Sequence, residues 1–245
     1  MGQDIDRPLR GWDFKPQVVQ ARLVDASDGR QVVQMRVDLG VLQMELSGRP
    51  DGVRPHNLPT YLDYLRQQAG HARRSDQVFK MNDEQCVEAD REFVQFYHRR
   101  ICWLALRNYE RAVTDADHSL AFMDFVKKHA PNEEYTLSHE QYRGFVVFHR
   151  TQAAAALAIE KNNPESAIDA IHHGLARIRS FYDEHEIEER FDDDVMVQQL
   201  RRIQDQIREL HKIETTLQEQ LDQAVAKEDY EVAAKIRDAI KKRGR

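Results

Sequence analysis

The side chains in this sequence that could do chemistry are scattered, and each group of them has a simpler structural use. His172-His173, with Glu165 or Asp169 nearby, makes the best case for a metal ion. Neighbouring positions on a helix diverge by about 100°, so the two imidazoles do not face one ion, and solvated or capping histidines are expected. His139 with Glu140, and His211 with Glu214, read as ordinary helix pairs. The run Asp192-Asp193-Asp194 could hold a divalent cation, but at the start of a helix it complements the positive end of the helix dipole. No Glu-x-x-His spacing of a di-iron bundle occurs, and no GxxxxGK[ST] phosphate loop. Cys86 and Cys102 lie four to five turns apart if their helix is continuous, beyond disulfide reach, and neither belongs to a CxxC. They are expected to be core or neutral surface thiols. Phe93, Phe96, Tyr97 and Trp103 beside Arg99-Arg100 could stack on bases, yet aromatics at helical spacing belong first to a core. Lys241-Lys242-Arg243 with Arg245 is the concentrated basic run, suited to a helix C-terminus and, failing that, to a membrane or nucleic acid. No catalytic, cofactor-binding or metal-binding residue is assigned, and no enzyme activity is expected.

Composition narrows the class. The 245 residues are 41% hydrophobic and 32% charged, with a net charge of -6. That supplies a core, gives helices wide solvated faces, and provides no global positive field for nucleic acid. No apolar run reaches the roughly 20 residues of a membrane span, and none near the N-terminus reads as an export signal. Gly2 is followed by Asp6 where a myristoylation signal wants Ser or Thr. The expected setting is cytoplasmic, with the thiols reduced and no membrane contact.

The elements that must carry these residues are mostly helical: an α+β chain with a small N-terminal antiparallel sheet, a central bundle of antiparallel helix pairs, and a long C-terminal helix with a helical hairpin. Period-two alternation places Val19, Ala21 and Leu23 on one face, then Val33, Met35, Val37 and Leu39, then Leu42, Met44 and Leu46, with a hairpin turn at Asp28-Gly29. Thr60 should cap a short helix that covers the sheet and ends near Gly70, giving a domain at 1–75. A bundle at 82–207 follows. Its first helix is expected to run from about Asn82 to Val113, and its second to start at Asp115 or Asp117 and stop at Pro131. Ser138 with Gln141 suggests a capping box for the third. Pro164 opens the fourth, whose stripe is Ile168, Ile171, Leu175, Ile178 and Tyr182. The fifth is expected to begin at the Asp triplet and to continue to about Lys227, roughly 50 Å long.

The tail, 208–245, has a distinct pattern. Leu210, Ile213, Leu217, Leu221 and Val225 form one apolar edge, Lys227-Glu228-Asp229 a polar corner with Asp229 as cap, and Tyr230, Ala233, Ala234, Ile236 and Ile240 a second edge. A hairpin of about 35 residues barely offsets its ordering entropy, so it should dock on something. Residues 209–243 resemble the UVR motif of the excision-repair subunits UvrB and UvrC, on Leu217, Leu221, Ala224, Glu228-Asp229-Tyr230-Glu231, Ala233-Ala234 and Ile236-Arg237-Asp238. They are similar as well to motifs in the ATPase ClpC and the arginine-kinase adaptor McsA. The resemblance implies a bacterial protein with a protein-binding face of Leu217, Leu221, Tyr230, Ala233, Ala234 and Ile236, followed by the polar Arg237 and Asp238. It does not extend to the relatives' nucleotide sites, nuclease domains or paired CxxC zinc motifs. Residues 138–185, on Ala158, Asn163-Pro164, Ala167-Ile168 and Gly174-Leu175, faintly resemble a tetratricopeptide repeat. The function expected is a non-catalytic scaffold or adaptor whose hairpin docks a partner or a second copy. The alternatives are an accessory DNA-binding protein of nucleotide excision repair and, behind it, an enzyme using carboxylates of the bundle.

Overall fold

A computed structural model describes residues 5–243 of the chain, with side chains through Ile240. It divides into two compact units, residues 1–149 and 150–245.

The first unit opens with one helical turn, α1 (Asp6–Leu9), and the strands β1 (Gln20–Asp25), β2 (Gln31–Val37) and β3 (Gly40–Glu45), paired antiparallel in the order β1-β2-β3. Gly29, at φ 83°, supplies the left-handed residue of the first turn. The register sets Leu23 opposite Val33 opposite Met44, and Ala21 opposite Met35 opposite Leu42, as the alternation requires. One expectation fails. Leu39 sits in the β2–β3 turn and is 88% exposed, not on the apolar face. The opposite face is covered as well, because Gln34 is buried in a ladder, accepting from Arg22 and donating to Gln43, while the Arg22 guanidinium lies 3.9 Å over Trp12.

Thr60 accepts from the Asp63 amide and caps α2 (Tyr61–Arg74), which runs on through Gly70 instead of stopping there. The main cover of the sheet is not α2 but α3 (Asp83–Ala105), which packs on β1 and β2 while α2 packs on α3. Asn82 and Gln85 form the capping box that starts α3. The helix ends earlier than its apolar pattern suggests, because Arg107 turns left-handed at φ 57° and Asn108 caps α4 (Tyr109–His129). α3 and α4 pair along their length, and Leu62, Leu65, Ala89, Phe122 and Val126 share one core. Asn132, not Ser138, starts the next helix, α5 (Glu133–Glu140). Ser138 lies inside it and donates to the Tyr135 carbonyl.

Buried charge ties this unit together. Asp115 receives a two-pronged bond from Arg99, at 2.7 and 2.9 Å, and the Trp103 N–H at 3.1 Å. Arg99 also donates to the carbonyls of Glu45 and Gly48, fastening the end of β3 to α3 and α4. Glu92, fully buried, accepts the amides of Tyr61 and Leu62 at the start of α2 and lies 3.1 Å from His118 Nε2.

His98, His139 and His149 have pKa values lowered chiefly by burial; His149 is pushed down to about 4, the charge of Arg100 adding to its burial. A base with a depressed folded pKa binds its proton more readily when unfolded. Its contribution to stability is therefore full above the ordinary imidazole value of 6.5 and is lost as the pH falls toward 4. Urea unfolding followed across that window is expected to lose about 3 kcal/mol, and His149→Phe should flatten much of the slope.

The division between the units falls within α6 (Arg143–Glu160). In the second unit Asn163 caps α7 (Pro164–Glu184), with Pro164 in its first turn. The stripe Ile168, Ile171, Ile178 and Tyr182 is buried, as its spacing requires. Gly174 permits a close helix approach, because a Cβ there would fall 2.5 Å from Thr151 Cγ2. Tyr182 donates to Asp194, which accepts the Met196 and Val197 amides and caps α8 (Val195–His211). The helix expected to reach Lys227 stops at His211. Lys212 is left-handed (φ 54°), and the Ile213 amide returns to the Arg208 carbonyl in a Schellman closure. α8 is thus about 25 Å long, half the expected length, and Leu210 is 77% exposed. Among the described residues no helix is long and apolar enough to cross a membrane.

Candidate protein-docking site

The C-terminal hairpin consists of α9 (Leu217–Ala226) and α10 (Tyr230–Arg243). Its start is fixed by a capping box: Thr216 accepts from the Glu219 amide, and Glu219 accepts from the Thr216 amide at 2.8 Å. Thr216 is fully buried, and its hydroxyl donates to Asp169 of α7 at 2.9 Å. Arg208 of α8 pairs with Glu219 and donates to the Glu214 carbonyl at 2.8 Å. Burial raises the Asp169 pKa, against the Thr216 bond. Burial likewise works against ionised Glu219, but the Thr216 amide and Arg208 outweigh it and hold that carboxyl below its ordinary value. One side chain therefore anchors the hairpin to α7 and another to α8.

The turn at 227–229 closes through Glu228 at φ 58°, after which Asp229 accepts the Val232 amide and caps α10. Ala224 and Ala233 are buried at the seam, where small side chains let the two helices come close. Larger apolar groups are thereby left outward. Tyr230 is 69% exposed and Val225 51%.

Along this outer side runs a groove of about 670 Å3. It gathers Leu221, Tyr230, Ala233, Ala234 and Arg237 from the face that the motif implies, and adds Asp222, Val225 and Ala226. Leu217 and Ile236 do not line it and are half-buried elsewhere on the hairpin; Asp238 is exposed, 3.6 Å from Arg237 in an ion pair. An apolar floor between one acidic and one basic side chain suits an amphipathic helix. The anchor residues Thr216 and Asp169 escaped the sequence reading. Thr216-Leu217-Gln218-Glu219 is a legible S/T-x-x-E box, but Asp169 is 47 positions away and carries no local signal.

The other candidates resolve differently. Arg99 and Arg100 are buried, as are Phe96 and Trp103, while Phe93 and Tyr97 are half-buried. Cys86 and Cys102 are buried free thiols with pKa values raised by burial, that of Cys102 to about 12. His172 and His173 are exposed with ring centroids 6.2 Å apart, and His173 Nδ1 lies 2.7 Å from the Asp169 carbonyl oxygen. Among the described residues no three His, Cys, Asp or Glu side chains converge as metal ligands. The side chains of Lys241, Lys242 and Arg243, and Arg245 altogether, lie outside the described residues.

Compared with known families, residues 215–242 match the model described as the UvrB/uvrC motif, which spans α9 and nearly all of α10. No curated protein and no solved structure matches the chain.

Proposed function

We propose that the chain is a non-catalytic adaptor or scaffold of the bacterial cytoplasm, and that α9–α10 is its docking element. The observation that carries this reading is the outward groove at Tyr230 and Val225, lying within the segment that matches the UvrB/uvrC motif. A hairpin sealed by alanines spends its small side chains on itself and leaves its large ones for another surface. A second helical hairpin, from another copy or from a UvrB- or UvrC-type chain, supplies a groove of the same kind. Four helices then bury what two leave wet.

The test is the double variant Val225→Asp, Tyr230→Asp in the full chain. These positions face outward, so the Ala224–Ala233 seam is untouched. Light scattering reads self-association, and titration with the isolated UVR hairpins of UvrB and UvrC reads the partner. Association of one kind or the other is expected, weakened at least about tenfold by the charges. Unchanged mass and unchanged affinity would sink the proposal.

The motif match favours one further reading, accessory DNA binding in excision repair. It predicts salt-dependent retention of labelled duplex, with no binding at low salt ending it.

A further inference from the structure

A second cavity, independent of the hairpin, lies in the first unit between α3 and the residues that begin α6. It measures about 520 Å3, within the range of small-molecule sites, and its walls include Phe93, Tyr97, Tyr142, Phe145 and Val146. No carboxylate lines it. One charged side chain does: Arg100, only 1% exposed.

Arg99 and Arg100 are neighbours on the same helix and make an internal comparison. Arg99 is matched on every side, by both oxygens of Asp115 and by two backbone carbonyls. Arg100 donates Nη1 to the neutral Ser119 hydroxyl at 2.9 Å, and its Nε, equally buried, has no partner. Among the described residues no carboxylate stands within ion-pair distance of it. Burial draws its pKa down to about 10, so it stays charged at neutral pH. A guanidinium with an unused N–H donor, held out of water and offset only by the longer-range charge of Asp115, is unfavourable to folding by itself. His149, with its ring 4.1 Å from Phe145, has a second orphan atom, Nδ1.

We propose that this cavity binds an organic monoanion, a single carboxylate on an apolar or aromatic body, with the carboxylate on Arg100 and the body between Phe93, Tyr97 and Phe145. The charge balance selects the monoanion. His98 and His149 are neutral at physiological pH, so one positive charge is available, and a doubly charged phosphate ester would leave a buried excess.

The experiment is calorimetric titration of the full chain with 4-phenylbutyrate and with 4-phenylbutanol, which share a body and differ in charge. The acid is expected to bind at least about tenfold tighter than the alcohol. Arg100→Met, a change from an unpaired buried charge to an apolar chain of similar length, should erase that preference. Val94→Trp alters the half-exposed rim without touching the guanidinium and should weaken both ligands, which keeps the test decisive if Arg100→Met fails to fold. Equal binding of acid and alcohol, no binding of either at millimolar concentration, or full binding to the Val94→Trp variant would each overturn the assignment.

Discussion

Asp115→Ala is expected to lower the unfolding free energy by about 4 kcal/mol. Asp115 and Arg99 are each at least nine-tenths buried, and their two bonds of 2.7 and 2.9 Å come from Nη2 and Nε, along one edge of the guanidinium. Without the carboxylate, Arg99 keeps its charge in the core with only the carbonyls of Glu45 and Gly48 as acceptors, and the Trp103 N–H loses its partner. The penalty is that of an uncompensated charge plus an orphaned donor, far above the value of an exposed ion pair. Urea titration would read it as a shift in midpoint. Asp115→Asn, which retains an acceptor but not the charge, should fall between wild type and alanine. The pair Asp115→Leu, Arg99→Met should recover most of the loss, because removing both charges removes the desolvation problem. A loss under about 1 kcal/mol for Asp115→Ala would mean that water reaches this pair.

The second large effect runs against helix propensity. In an open helix Gly→Ala stabilises by about 1 kcal/mol. At Gly174 the added Cβ would lie 2.8 Å from Thr151 Cβ and 2.5 Å from its Cγ2, with Oγ1 nearer still. Thr151 is 2% exposed and has nowhere to rotate. Either its backbone or that of α7 must move, and overpacking of this kind costs enough to reverse the sign, to a net destabilisation of about 2–3 kcal/mol. Thermal melting checks it. Thr151→Gly in the Gly174→Ala background should restore much of the loss, whereas Thr151→Ala should restore less because its Cβ remains. A stabilised Gly174→Ala would mean that the two helices do not touch there.

Much of the fold was legible because its signals are local. Period-two alternation set the strand register. Thr60, Asn163-Pro164, Asp194 and Asp229 announced helix starts where they occur. The two missed interruptions share a cause. At Arg107 and Lys212 the chain turns left-handed on a residue with a side chain, and the apolar rhythm continues across the break, so a reading that waits for Gly or Pro passes over both. The Ser138–Gln141 pattern erred the opposite way, since a cap is a cap only where a helix begins and Asn132 had already begun one. At the site, Leu221, Tyr230, Ala233, Ala234 and Arg237 could be named from the motif, and Val225 from its stripe. What secures the hairpin could not be named, because Thr216 meets Asp169 only after α7 and α8 have folded back on each other.

That anchorage has a mechanical consequence. Had α8 and α9 formed one rod, tension on the hairpin would travel straight down its axis. The break at Lys212 instead routes the load sideways, through Thr216 into Asp169 and through Glu219 into Arg208. The hold of the hairpin on α7 and α8 therefore rests on those two side-chain contacts and not on the stiffness of a continuous helix.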